Sequence, residues 1–144
     1  MLSARGIELP PGRVTLDTYG ESPELSQSLL AVIRSGTKRA GTSLLWAIEA
    51  EGDPVPASGD IAIVLDHRNE PALLVRVTEA YLTPFRDVTA TYAVLEGEGD
   101  RSLEYWRRVH WDFFGRECQR LGREPSENMP VACCVFEVIR DLVG

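Results

Sequence analysis

Val131-Ala132-Cys133-Cys134-Val135-Phe136-Glu137-Val138-Ile139 is apolar on nearly both faces, the pattern of a strand buried in the middle of a sheet. Working back from it, Ser102 to Leu121 carries Leu103, Trp106, Val109, His110, Phe113, Phe114 and Leu121 on one apolar arc, with Gly122 after it, and predicts a long helix. Val88 to Leu95 has Val88, Tyr92 and Leu95 at helical spacing, with Asp87 as the expected cap, and predicts a short one. Ile61–Leu65 and Leu73–Tyr81 predict two antiparallel strands joined through the polar turn 66–70. Thr78 and Glu79 break the apolar run of the second, as where a strand reaches solvent or a site. Thr42 to Glu49 reads as a further strand, followed by a Pro- and Gly-broken loop over 52–59. Ser22, Pro23 and the stripe Leu25, Leu29, Leu30, Val32, Ile33 predict the first helix, ended by Gly36. Residues 1–12 read as a loose N-terminal arm. Several short strands with helices between them, and no regular βαβ alternation, give an α+β fold whose mixed or antiparallel sheet curls into a small barrel.

The chain has 144 residues, 44% hydrophobic and 26% charged, which fits one globular domain spanning 1–144. A net charge of −7 opposes nonspecific duplex DNA binding. No apolar run nears the roughly 18 residues of a membrane span, and the start lacks a leader pattern, so a cytoplasmic location and no membrane partner are expected. Cys118, Cys133 and Cys134 are odd in number and form no Cys-x-x-Cys pair, so they read as small buried hydrophobes rather than disulfide or zinc partners.

Of the fifteen basic residues fourteen are arginine, and the one lysine, Lys38, sits in the turn after the first helix. A lysine retained in an arginine-rich chain marks a place where guanidinium cannot substitute, because lysine loses its proton when desolvated or crowded by cations. Arg39 beside it is one such cation. Drift on the surface explains a single lysine equally well. The turn Ser35-Gly36-Thr37-Lys38-Arg39-Ala40-Gly41-Thr42-Ser43 offers hydroxyls and two cations to an anion, without the spacing of a Walker loop. Before the long helix stands Glu96-Gly97-Glu98-Gly99-Asp100-Arg101-Ser102. Asp100 or Ser102 caps the helix. Glu96 and Glu98 remain, on backbone able to approach a ligand closely, for proton transfer or for a divalent ion; a solvated acidic loop explains them too. Tyr105, Trp106, Arg107, Arg108, His110 and Trp111 combine aromatics and cations suited to stacking on bases, but Trp106, His110 and Phe113 share the face that by default belongs to the core. His67 and His110 give no metal spacing.

Taken together, Ser35-Gly36-Thr37-Lys38 leading into Ser43-Leu44-Leu45-Trp46, then Ser58-Gly59-Asp60, then Glu96 to Leu103 with Trp106, His110, Phe113 and Phe114, resemble an ASCH domain over about Leu16 to Val138. The resemblance implies a PUA-like barrel with helices packed around it and a cleft beside it. ASCH relatives are associated with RNA binding, in some members with ribonuclease activity, and in a shorter branch with deacetylation of acetylcytidine. The family's Gly-x-Lys-x-x-Thr/Ser motif maps onto Gly36 and Lys38, but Gly41 holds the hydroxyl position and Thr42 lies one place later, with Ser43 next. The amidohydrolase branch pairs that lysine and hydroxyl with a glutamate matching Glu96.

The expectation is an RNA- or nucleoside-directed hydrolase, acting on single-stranded RNA or a modified cytidine. Lys38, Glu96 and Thr42 would be catalytic; Lys38 would serve as general base if neutral, or stabilise an oxyanion if charged. Arg39, Ser43, Trp46, Glu98, Arg101, Tyr105 and His110 would bind substrate. No metal is expected as a resident group; a divalent ion, recruited by Glu98 and Asp100, enters only for phosphodiester cleavage. The alternatives are a noncatalytic RNA- or nucleotide-binding module and a regulatory domain for another ligand.

Overall fold

The computed structural model describes residues 8–20 and 22–143. Its elements are β1 (Val14–Thr18), α1 (Pro23–Arg34), β2 (Ala40–Leu44), α2 (Leu45–Glu51), β3 (Ile61–Leu65), β4 (Pro71–Pro84), a 3₁₀ turn (Phe85–Asp87), α3 (Ala90–Glu96), α4 (Leu103–Leu121) and β5 (Pro130–Asp141). The strands form one mixed sheet in the order β1-β3-β4-β5-β2, in which only β1 and β3 run parallel. β4 and β5 are long and their pairing shifts register at Leu74/Val75 and Val77/Glu79. Such bulges bend and twist a ladder. The sheet curls into a half-barrel, and Tyr19, just past β1 at one edge, packs on Gly41 of β2 at the other.

β5 lies inside the sheet, as its apolar run predicts, although its last turn of sequence, Val138 and Ile139, is more than a third exposed. The β3–β4 hairpin is as expected; Asp66 closes its turn by accepting from the Arg68 and Glu70 amides. Ser22 caps α1 and Ser102 caps α4, each accepting from the amide three residues on. One core cluster lies between β2, β5 and the helices α2 to α4, around Leu44, Tyr92, Trp106, Phe114 and Val131. A second lies under α1, where Leu30 and Ile33 meet Val64, Leu73 and Phe136.

Two expectations are corrected. The strand over Thr42–Glu49 is instead a strand to Leu44 and then a helix, because Leu44, Ala47 and Ile48 stand at i, i+3 and i+4 and are the buried members of that run. The cap of α3 is Thr89 and not Asp87, which ends the 3₁₀ turn. β1 was not anticipated. Its apolar residues Val14 and Leu16 are exposed while Thr15 and Asp17 are half-buried, the reverse of ordinary alternation. Of the expected N-terminal arm, residues 1–7 lie outside the described residues, and 8–12 contain no helix or strand.

Candidate functional site

Lys38 leaves the end of α1 and its amide is bonded to Val32 O. Glu96 is the last residue of α3, and Gly97 after it takes the left-handed conformation, φ 69°. These two chain segments, 58 residues apart, are pinned together by Arg39 N donating to Leu95 O at 2.6 Å. The contact demands glycine at 97. A Cβ there would meet Thr37 O at 2.3 Å and the Lys38 Cα at 2.9 Å. Gly52 shares nearly the same backbone angle, φ 71°, with open space around it. Gly97→Ala is therefore expected to destabilise the fold by more than about 1 kcal/mol and clearly more than Gly52→Ala; thermal melts of the two variants side by side check it, and equal losses would contradict the packing argument.

Within that junction the Lys38 side chain is 2% exposed, as is that of Glu96. Lys38 Nζ donates to Glu96 Oε1 at 2.5 Å, Glu98 Oε2 at 2.9 Å and Ala40 O at 2.8 Å. Glu96 Oε2 accepts from Thr42 Oγ1 at 2.6 Å and Trp106 Nε1 at 3.1 Å, and lies 3.3 Å from His110 Nε2. His110 stacks on Trp106 with ring centroids 4.2 Å apart, and its Nδ1 lies 2.9 Å from Trp106 O. The Tyr92 hydroxyl, 3.0 Å from Thr42 Oγ1, donates to Gly41 O or to Thr42 and accepts from Cys134 N. Each oxygen of Glu96 is thus held from a different side, which fixes the carboxylate plane.

Burial works against the charge of both partners, and their attraction overcomes it. Desolvation pushes the Lys38 ammonium down, but Glu96 and then Glu98 raise its pKa above the ordinary value. Desolvation pushes Glu96 up, but Lys38 first and then His110 hold it well below the usual carboxylate range. Of the two alternatives for Lys38, this pairing favours the ammonium over the neutral general base. The Arg39 guanidinium turns to Gly36 O, in the groove beside α1 and β5, and the carboxylates are what raise the Lys38 pKa.

The structure brings Lys38, Thr42, Glu96, Glu98 and His110 together, and disperses the other expected residues. Trp46 lies under the Arg123 guanidinium, 4.4 Å from it, against the helical core. Arg101 is exposed, bonded through its amide to Glu98 O. Tyr105 covers Gly99 and faces Arg108. Ser43 is exposed along a cleft. Asp100 caps Ser102 N and does not join Glu98. Trp106 and Tyr92, by contrast, are part of the site although their spacing assigned them to the core. The signal that exposes them is the i, i+4 pairing of Tyr92 with Glu96 and of Trp106 with His110 on two successive helices.

The cleft, about 640 Å³, opens beside Thr42 and is walled by β1, Tyr19, Gly41, Ser43, α2 and the 53–60 loop. Among the described residues its lining includes Asp17, Glu51, Asp53 and Asp60 and no lysine, arginine or histidine. Asp60 is neutralised from outside by Arg13, 2.5 Å away. Glu96, Glu98 and His110 place ligand atoms within 4.8 Å of one another, the spacing of a metal site. The resident ammonium of Lys38 on both carboxylates makes this a poor fit for a cation.

Among the described residues no helix is long and apolar enough to cross a membrane. A search of curated proteins finds no match to the sequence. Among solved structures, an ASCH domain from Lactobacillus crispatus is similar at 29% identity and TM-score 0.81, over 88% of this chain and 79% of that one. A protein from Enterococcus faecalis is similar at 27% identity and TM-score 0.79, over 96% and 82%. A third, a hypothetical protein at 20% identity and TM-score 0.53 over 80% and 94%, shares the fold. The family model described as the ASCH domain matches residues 15–140, and the chain therefore belongs to the ASCH domain family.

Proposed function

We propose that the protein is a hydrolase that removes an acyl group from a small modified nucleoside, with Thr42 as nucleophile. The observation that carries this reading is Thr42, a residue of the cleft wall, whose hydroxyl lies 2.6 Å from a carboxylate locked in place by Lys38, Trp106 and His110. A nucleophile, its proton acceptor and the groups that orient the acceptor stand in sequence, the arrangement covalent acyl transfer needs. Thr42 occupies the position one beyond the family's hydroxyl site and still reaches Glu96. Gly41, at the site itself, lies against the Tyr19 ring.

Thr42 Oγ attacks the acyl carbonyl carbon as its proton passes to Glu96 Oε2. The C–N bond then breaks and the departing amine takes that proton. Water attacks the resulting acyl-threonine, gives its proton to Glu96, and releases a carboxylic acid as the proton returns to Thr42. A carboxyl group held below its ordinary pKa is a weak acceptor but a strong donor, and donation to the leaving nitrogen is the demanding step for an amide. Lys38 keeps Glu96 ionised between turnovers.

The acidic lining favours an uncharged nucleoside over an RNA strand, whose phosphates it would repel. The test incubates purified protein with N4-acetylcytidine and, separately, with single-stranded RNA, each with and without EDTA. Cytidine and acetate are expected from the first, undiminished by chelator, and intact RNA from the second. Binding of RNA with conversion of neither would make the protein a binding module; chelator-sensitive cleavage of RNA would make it a nuclease.

A further inference from the structure

The strand β1 breaks the rule by which edge strands turn apolar residues inward. Leu16 is 60% exposed and Val14 42%, while Thr15 and Asp17 are half-buried; all four lie along the cleft. The parallel register on β3 fixes this, since Thr15 pairs with Ala62 and Asp17 with Val64. Turning a valine and a leucine to water and a carboxylate inward costs stability, and such local conflicts gather at functional positions.

Asp17 is held where a ligand would lie. It faces Asp53 and Asp60 across the cleft, accepts from Thr15, and stands close to Tyr19 and Cys134. Burial foremost, and then the two neighbouring aspartates, raise its pKa. Of the acidic groups there, Asp60 has Arg13 and the Ala57 amide as partners. Asp17 has a hydroxyl and two like charges. Glu51 and Asp53 are exposed to water, so Asp17 is the half-buried carboxylate of the cleft at which a ligand donor would matter.

Resting on the deacylase reading of the same cleft, we propose that Asp17 is its specificity residue. It accepts an N–H or O–H donor of the substrate and, with Asp53 and Asp60, selects uncharged or cationic molecules over phosphorylated ones. Asp17 lines the same cleft as Thr42 from the other edge strand of the curled sheet, so it contacts a part of the ligand other than the bond that breaks.

The experiment compares N4-acetylcytidine with its 5′-monophosphate on wild type and Asp17→Asn, with Asp17→Ser as a second variant should the first fold poorly. Wild type is expected to prefer the nucleoside by tenfold or more in kcat/KM. Asp17→Asn is expected to raise KM for the nucleoside about tenfold, the scale of one hydrogen bond to a charged acceptor, with kcat nearly unchanged, and to narrow the preference against the monophosphate. An unchanged KM, a loss in kcat alone, or a wild-type preference for the monophosphate overturns the assignment. If nothing is hydrolysed, the deacylase reading falls separately, and calorimetric binding of cytidine decides: tenfold weaker binding to Asp17→Asn supports the role, and equal binding, or none by wild type, overturns it.

Discussion

Lys38→Met is expected to cost the fold about 3–5 kcal/mol, because it leaves the Glu96 carboxylate buried without its cation. For a domain of this size that lowers the melting temperature by on the order of 10 °C. The loss is not the worth of the ion pair, since burial of two charges is itself expensive; it is the cost of stranding one of them. Glu96 would still have Thr42, Trp106 and His110, but a hydroxyl and an indole do not neutralise a charge and the imidazole does so only when protonated. Lys38→Met combined with Glu96→Gln should therefore recover part of the stability, since the double variant strands no charge.

The pH dependence separates this account from simple loss of packing. In the native protein Glu96 lies below its ordinary value of 4.5, so its contribution is present above that value and fades as pH falls through the lower, folded one. Lys38 lies above its ordinary value of 10.5, so its contribution holds below 10.5 and fades only as pH climbs past the folded value. Neither titrates near neutrality. In Lys38→Met desolvation, the largest influence on Glu96, is opposed mainly by His110 alone, so the folded pKa is expected to rise. The variant should gain relative stability as pH is lowered from 8 toward 5. Denaturant melts at those two pH values check this, and a loss equal at both would show that only packing was removed.

The junction was legible in part because its chemistry is rare in this chain. One lysine among fourteen arginines, and glutamates set between glycines, stand out in composition, whereas Trp106 and Tyr92 do not. An aromatic on an apolar helical face is core by default, and both are indeed buried; their polar ends are the functional part, and periodicity carries no information about where an indole N–H or a phenol points. The long helix and the β3–β4 hairpin followed from their patterns because packing and pattern agree there. α2 was hidden because its seven residues offer less than two full turns of period. β1 was hidden for a different reason: its alternation is inverted, and a rule that reads apolar as inward assigns such a strand to nothing.

Thr42→Val should abolish turnover by three orders of magnitude or more while leaving the fold nearly intact. The substitution keeps the volume and the β-branch and removes one oxygen. Glu96 Oε2 retains Trp106 and His110, and the Tyr92 hydroxyl retains Gly41 O and Cys134 N, so no buried group loses every partner. A stability loss of about 1 kcal/mol is the scale for one such hydrogen bond. Thr42→Ser restores an oxygen able to donate to Glu96 and should remain within about tenfold of wild type. Release of cytidine from N4-acetylcytidine, followed for the three proteins together, distinguishes the roles. Substantial activity in Thr42→Val would mean that Glu96 activates water directly and that Thr42 only orients it, since no acyl-threonine could then form.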